Sequence, residues 1–385
     1  MNALRSFPTK AWYSAGWSHE IPAGEPLKRR ILGKDIVLFR DPSRKVAAID
    51  ALCPHRGADL GIGKVVDGKV QCPFHGWQFN RSGACVLIPS QEPGQKIPRG
   101  ASVQSYTVVE QQEIIWIWMD DSPPGEIAPP FYDFLDPGYG RGMRRTKDIP
   151  VLAAAPFVSV VENAIDNTHP PFIHPGTLAG EPEVVAPQII KFDPDLRGYW
   201  GQLAPEDSIH AEVKGTDGLL GLHRRVMKVT KLDRSRCYFR FDLGGVVFFY
   251  DRFLSGHEQV GFVAITPADE THTWFFGEHV RSFAKFPFID AIIRKWMRKL
   301  NGEDIWHVEK LLSSARAHGL KNPVSVPADG PSLAFRRIFF NAIRRESGAL
   351  DAASRRAKRP EGAALLPDAA AISAVAGRSP LNQAL

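Results

Sequence analysis

Residues 53–79 read CPHRGADLGIGKVVDGKVQCPFHGWQF. Two cysteines and two histidines fall here as Cys53-x-His55 and Cys72-x-x-His75, with sixteen residues between His55 and Cys72. Thiolate and imidazole both bind zinc, so a Cys2His2 zinc site is one reading. Three features oppose it. Zinc fingers pair cysteine with cysteine and histidine with histidine, whereas each half here supplies one of each. Proline follows both cysteines, and Gly76-Trp77 closes the second half. The surrounding residues read as strands and turns, with no helix to carry a histidine pair. One mixed pair from each of two loops suits an asymmetric [2Fe–2S] cluster, with Cys53 and Cys72 on one iron and His55 and His75 on the other. Neutral imidazole in place of anionic thiolate raises the reduction potential, so such a centre accepts electrons from a low-potential donor.

Outward from that stretch, the chain of 385 residues is long enough for two domains of ordinary size. At 44% hydrophobic and 23% charged it has the composition of a soluble globular protein. It holds no apolar run long enough to span a bilayer, and MNALRSFPTKAWYSAG lacks the apolar core of a signal peptide. A cytoplasmic protein that does not engage a membrane is therefore expected. Four cysteines do not make a disulfide framework in so long a chain. Cys85 and Cys237 read as packed free thiols. The net charge of +6 comes with basic clusters at Lys28-Arg29-Arg30, Arg294-Lys295 with Arg298-Lys299, and Arg336-Arg337 with Arg344-Arg345. Each is either a solvated face or a docking patch for an acidic protein. No nucleic-acid motif accompanies them, and nucleic acid is not an expected partner.

Short apolar or alternating runs, ILGKDIVLFRD, KVAAIDAL, KVQCPF and EIIWIWMD, predict a strand-rich unit over residues 1–120. A segment rich in Pro, Gly and Asp, residues 121–140, reads as a linker. Residues 141–348 form a second unit, with strands at CYFRFDL, GVVFFYDRF and QVGFVAITPA, a helix near 157–169 and helical periodicity over 283–318 ending at Gly319. The remainder, 349–385, is expected to be a disordered tail.

Within the second unit, residues 161–176 read VENAIDNTHPPFIHPG. Three-residue spacing would stack Asn163, Asp166 and His169 on one helical face, with Pro170-Pro171 breaking the helix before His174. Two histidines and a carboxylate make the facial triad of non-haem Fe(II) oxygenases, which leaves positions open for O2. Together with the Cys/His loops, the pattern NxxDxxHxxxxH resembles the catalytic α subunits of Rieske non-haem iron oxygenases. The resemblance runs from about Trp12 to Arg337. It implies an α+β chain: an N-terminal all-β Rieske domain followed by a helix-grip catalytic domain of antiparallel sheet and helices. The extra cysteine pair of respiratory Rieske proteins is missing, since the matching places hold Arg56 or Gly57 and Pro73 or Phe74.

The resemblance also assigns roles. His169, His174 and a later carboxylate hold one mononuclear Fe(II). In NGEDIWHVEK the carboxylate is expected at Asp304, with Glu303 and Glu309 as rivals. Asp166 is expected to bridge His169 to a cluster histidine, His75, of a neighbouring subunit, which implies a homotrimer. Asn163 is expected to tune or shield the iron. Electrons would come from NAD(P)H through a ferredoxin, a flavin reductase or both. WYSAGWSHEIP and VPADGPSLAFRRIFF are similar to the homo-oligomeric branch that contains phenoxybenzoate dioxygenase-like enzymes and the vanillate and dicamba O-demethylases. The expected activity is O2-dependent hydroxylation or oxidative demethylation of an aromatic or heteroaromatic small molecule. Alternatives are a ring or alicyclic hydroxylase of terpenoid or steroid-like compounds, an electron-transfer Rieske protein without oxygenase activity, and an accessory zinc protein. The strands at 239–253 and 259–268 could line an apolar pocket, and His210, His223, His257, His272 or His279 could orient a substrate.

Overall fold

The computed structural model describes residues 6–139, 142–174, 177, 188–202, 232–320 and 323–347. The tail, His210 and His223 lie outside the described residues. The N-terminal half is all β. One antiparallel sheet has the order β1 (Trp12–Trp17), β10 (Ile114–Trp118), β9 (Ser105–Gln111), β4 (Val46–Asp50), β3 (Lys34–Arg40), β2 (Leu27–Ile31). A smaller four-stranded sheet runs β5 (Lys64–Val66), β6 (Lys69–Gln71), β7 (Gln78–Phe79), β8 (Cys85–Leu87). Strand alternation decides where these residues go. On β3, Val37 and Phe39 point toward the small sheet, while Ile36 and Leu38 face the opposite core. Every residue of β10, IIWIW, is buried because the strand is covered on both faces.

The C-terminal half is an antiparallel sheet of eight strands among the described residues. Its order is β11 (Arg144–Lys147), β18 (Thr273–Arg281), β17 (Glu258–Pro267), β16 (Val246–Arg252), β15 (Tyr238–Asp242), β14 (Gly198–Gln202), β13 (Ile189–Phe192), with β12 (Val151–Ala153) also paired to β18. Val246, Phe248 and Tyr250 pack with Trp12, Trp17, Trp116 and Trp118 of the N-terminal sheet, so the two halves share a core. Val247, Ile265 and Phe275 face the other way, under α1 (Phe157–Ile165) and the C-terminal helix Gly330–Glu346. The long helix Pro287–Ala317 lies on this same face, and the chain passes Gly319 just after its end. The α+β architecture is thus as expected.

Two local expectations need correction. Residues 121–139 are more than a spacer: Tyr132, Phe134 and Leu135 are buried between the sheets, and the Phe134 ring lies 4.9 Å from that of Phe248. Their aromatic side chains outweigh the Pro and Gly content around them. The predicted helix over 157–169 stops at Ile165, so Asn163, Asp166 and His169 do not share one helical face. Asp166 turns extended, with ψ 126°, and its carboxylate accepts hydrogen bonds from the Thr168 N–H and hydroxyl, both at 2.7 Å. That local capture competes with helix continuation. Pro170-Pro171 then open the separate one-turn helix α2 (Pro170–Ile173).

Candidate metal centres

The Cys/His stretch folds as two matching turns. In each, the cysteine carbonyl accepts from a glycine four residues on: Gly57 N–H at 2.9 Å from Cys53, Gly76 N–H at 3.1 Å from Cys72. The cysteine N–H groups donate to Ala58 O at 2.9 Å and Trp77 O at 2.8 Å. Gly57 and Gly76 have φ of +74° and +71°, a left-handed conformation that β-carbon-bearing residues adopt at a cost. The shared pattern Cys-Pro-x-x-Gly was readable in the sequence as one turn used twice. Both thiols are 2% exposed, while His75 is exposed and its ring lies 4.5 Å from that of His55. Trp77 stacks on His55 at 4.5 Å and 8°, which fixes the plane of the imidazole. Burial, with Cys72 alongside, pushes the Cys53 thiol up to about 11. Desolvation, then the neighbouring His75 and Arg56, lowers the His55 pKa. The His55 Nδ1 is buried without a hydrogen-bond partner, as a ring nitrogen reserved for a ligand would be. Buried thiols below and two imidazoles above fit a [2Fe–2S] group with sulfur and nitrogen ends.

The second centre gathers His169, His174 and Asp304, each offering one donor atom, all within 4.8 Å of one another. His169 sits where α1 has ended and α2 begins, and His174 closes α2. Asp304 comes from the middle of α3 (Pro287–Ala317), 130 residues after His174. The Nε2 atoms of His169 and His174 converge on Asp304 Oδ1 from 3.5 and 3.2 Å. Asn163 donates its amide to the same oxygen at 2.7 Å, which orients the carboxylate. The two Nδ1 atoms face carboxylates of their own. His174 Nδ1 meets Glu303 Oε2 at 2.9 Å, and Thr177 donates to that oxygen at 2.7 Å. His169 Nδ1 meets Asp166 Oδ2 at 3.5 Å. Burial works to lower the His174 pKa, but the Asp304 and Glu303 carboxylates outweigh it and hold it above its ordinary value. Burial works to raise the Asp166 pKa, but the neighbouring His169 and the hydrogen bonds from Thr168 outweigh it and hold it low. Two imidazole nitrogens and one carboxylate oxygen directed at a common point fit a divalent iron.

The three acids of α3 take different positions. Asp304 lies inside the cluster, Glu303 meets His174 from outside it, and Glu309 accepts from the Ala154 N–H at 2.9 Å. Neither the Glu303 nor the Thr177 contact could be read from spacing, because each crosses more than a hundred residues. Phe172 is 69% exposed beside His174, Trp306 is 56% exposed beside Asp304, and Phe74 is 66% exposed beside His75. His272 is tied into its own turn with Asp269, His257 lies 3.3 Å from Ser282 Oγ, and His279 is buried with its ring 5.8 Å from Trp296. Cys85 and Cys237 are free thiols, as expected. The cluster at Lys28–Arg30 is neutralised by Asp59, Glu20, Asp35 and Asp269, so it presents no bare positive patch.

Residues 11–107 match the Rieske [2Fe-2S] domain family, and residues 153–345 match the vanillate O-demethylase oxygenase C-terminal domain family. The chain is 28% identical over 375 residues to the vanillate O-demethylase oxygenase subunit of Pseudomonas sp. (strain HR199 / DSM 7063), covering 90% of this chain and 98% of that one. Other curated relatives match over less of their length. Protein TIC 55, chloroplastic, of Pisum sativum is 34% identical over 171 residues, which is 44% of this chain and 30% of that protein. Among solved structures, dicamba monooxygenase bound to dicamba superposes with a TM-score of 0.72 at 24% identity, over 89% of this chain and 99% of that one. That last likeness concerns the fold.

Proposed function

Because the chain belongs to the Rieske oxygenases whose catalytic domain is of the vanillate O-demethylase oxygenase type, we propose that it hydroxylates or oxidatively demethylates an aromatic or heteroaromatic small molecule with O2. One observation carries the reading: His169, His174 and Asp304 converge in a chain that also presents the paired Cys/His turns. Cys53 and Cys72 would hold one iron of the [2Fe–2S] cluster, His55 and His75 the other, and His169, His174 and Asp304 the mononuclear iron. Bound there, the cluster supplies one-electron transfer and the iron supplies O2 activation.

The protein's own side chains arrange the rest. Trp77 holds the His55 ring in place, and Asn163 holds the Asp304 carboxylate. Glu303 accepts the Nδ1 proton of His174, which leaves Nε2 as the donor atom facing inward. The Asp166 carboxylate stands farther from His169, at 3.5 Å from Nδ1, and keeps 34% of its side chain exposed, so it can take a further donor. We assign that donor to His75 of a neighbouring copy, within a homotrimer. The exposure of Phe74 and His75 on one side, and of Phe172 and Trp306 on the other, supports a junction there. The electron donor is a ferredoxin, a flavin reductase or both. Among the described residues no helix is long and apolar enough to cross a membrane, which accords with a cytoplasmic placement.

The test is reconstitution with NADH, a flavin reductase and ferredoxin pair, and a panel of methoxylated and N-methylated arenes, with formaldehyde as readout. Formaldehyde in step with O2 uptake supports demethylation. Hydroxylated product without formaldehyde supports a ring or alicyclic hydroxylase instead. No O2-dependent product from any compound leaves the chain an electron carrier.

A further inference from the structure

We infer that Asp148 and Asn301 are positioning residues for the iron carboxylate: their buried contact sets how α3 lies against the sheet and so where Asp304 stands. The inference rests on the reading above that Asp304 is an iron ligand. α3 packs Ile289, Ile293 and Met297 into one apolar cluster and Val308 into another. Among the described residues, the one buried side chain of α3 between Met297 and Val308 is Asn301, a polar one. Asn301 precedes Asp304 by three residues, so the two share a face of the helix.

Asn301 meets an acceptor that is itself held. Its amide donates to Asp148 Oδ2 at 3.2 Å, with Asn301 8% and Asp148 3% exposed. Asp148 directly follows β11, and its backbone is tied to both sheets. Its N–H donates to Gly277 O of β18 at 2.9 Å, and its carbonyl accepts from the Trp17 indole of β1 at 3.2 Å. Its Oδ1 accepts from the Ile149 N–H at 2.8 Å, and exposed Arg298 of α3 stands 3.5 Å from that oxygen. Gly277 also clears the approach of the helix. A β-carbon there would stand 3.2 Å from the Asn301 amide nitrogen and 3.5 Å from Met297 Cε.

A hydrogen bond is directional where apolar packing is not. The Asp148–Asn301 bond therefore fixes the rotation of α3 about its axis as well as its distance from the sheet. Exposed Gly302 follows at once in mid-helix, where glycine costs about 1 kcal/mol relative to alanine. The turn that carries Asp304 thus leans on the anchor just before it. A metal-ligand set tolerates displacements of only about 0.5 Å.

The experiment uses the full-length protein with its cluster in place, prepared anaerobically without the second iron and titrated with Fe(II) against a chelator. Asn301→Ala removes the donor. Gly277→Ala keeps the donor and crowds it. Asp290→Asn is the control, since it loosens α3 from the sheet about four turns before Asp304 and leaves Asn301 in place. Fe(II) affinity falls about tenfold in Asn301→Ala, the low end of the range for side chains that support a metal ligand, and several-fold in Gly277→Ala. It stays within twofold of wild type in Asp290→Asn despite the lower unfolding midpoint of that variant. Cluster absorbance holds at the wild-type value in all three. An Asn301→Ala affinity within twofold of wild type, or an equal loss in Asp290→Asn, overturns the positioning role and leaves Asp304 standing as a ligand. Should Asn301→Ala fail to fold, Gly277→Ala decides by the same limit. A wild type that binds no Fe(II) beyond the cluster overturns the reading of Asp304, and the inference falls with it.

Discussion

Replacing Glu303 with Gln should weaken iron binding without touching the cluster. Glu303 Oε2 takes two donors, His174 Nδ1 at 2.9 Å and Thr177 Oγ at 2.7 Å. His174 is 1% exposed, so no water can replace the lost acceptor. A glutamine retains one acceptor oxygen but no charge, and the amide nitrogen cannot accept from either donor. A hydrogen bond to a charged group is worth about 1.5–3 kcal/mol. Loss of the partner behind a metal-bound histidine weakens metal affinity by about 10- to 100-fold. The expected change is therefore roughly 1.4–2.7 kcal/mol in Fe(II) binding. It is measured by chelator competition on anaerobic protein, with cluster absorbance as the internal reference. Glu309→Gln, whose carboxylate serves only the Ala154 N–H among its described partners, is the matched control. Equal Fe(II) affinity in Glu303→Gln and wild type would refute the assignment of Glu303 as the support of His174.

Three further outcomes follow from the geometry. Arg144, Arg281 and Thr146 all donate to Asp290 and, against burial, hold its pKa down to about 2. Because the folded pKa is depressed, this stability, about 2 kcal/mol, is complete above the unfolded pKa near 4 and is lost as pH falls through 2. Asp290→Asn also strands Arg281, which is 0% exposed, and should lower the melting midpoint at pH 7 by about 5–10 °C, with the gap closing at pH 2. Gly76→Ala imposes a left-handed φ of +71° on alanine, about 1–2 kcal/mol of strain, and should cut cluster incorporation, read from visible absorbance, more than it lowers iron at the second site. Asp166→Ala should leave both metal signals present and abolish turnover, whereas normal turnover would break the proposed circuit between copies.

The Cys-x-His and Cys-x-x-His halves were legible because turns bring near neighbours together, and ligand spacing survives in one dimension. So were the strands VVFFYDR and EQVGFVAITP, whose β-branched and aromatic density is strong. Asp304 was separable from Glu303 and Glu309 only by resemblance, since all three acids lie within two turns of one helix and spacing alone does not choose the inward face. The break at Asp166 was misread because periodicity ignores the Thr168 contacts that end the helix. Glu303 and Thr177 behind His174 depend on tertiary approach and left no local signal.

Single turnover tests the central claim most directly. Chemically reduced protein, free of reductase, is mixed with O2 and the best methoxyarene, and wild type is compared with Asp304→Ala. Wild-type cluster absorbance is expected to recover as oxygenated arene or formaldehyde forms, while Asp304→Ala keeps its cluster and forms no product. Product from Asp304→Ala at the wild-type rate, or cluster reoxidation in the wild type without any oxygenated product, would contradict it.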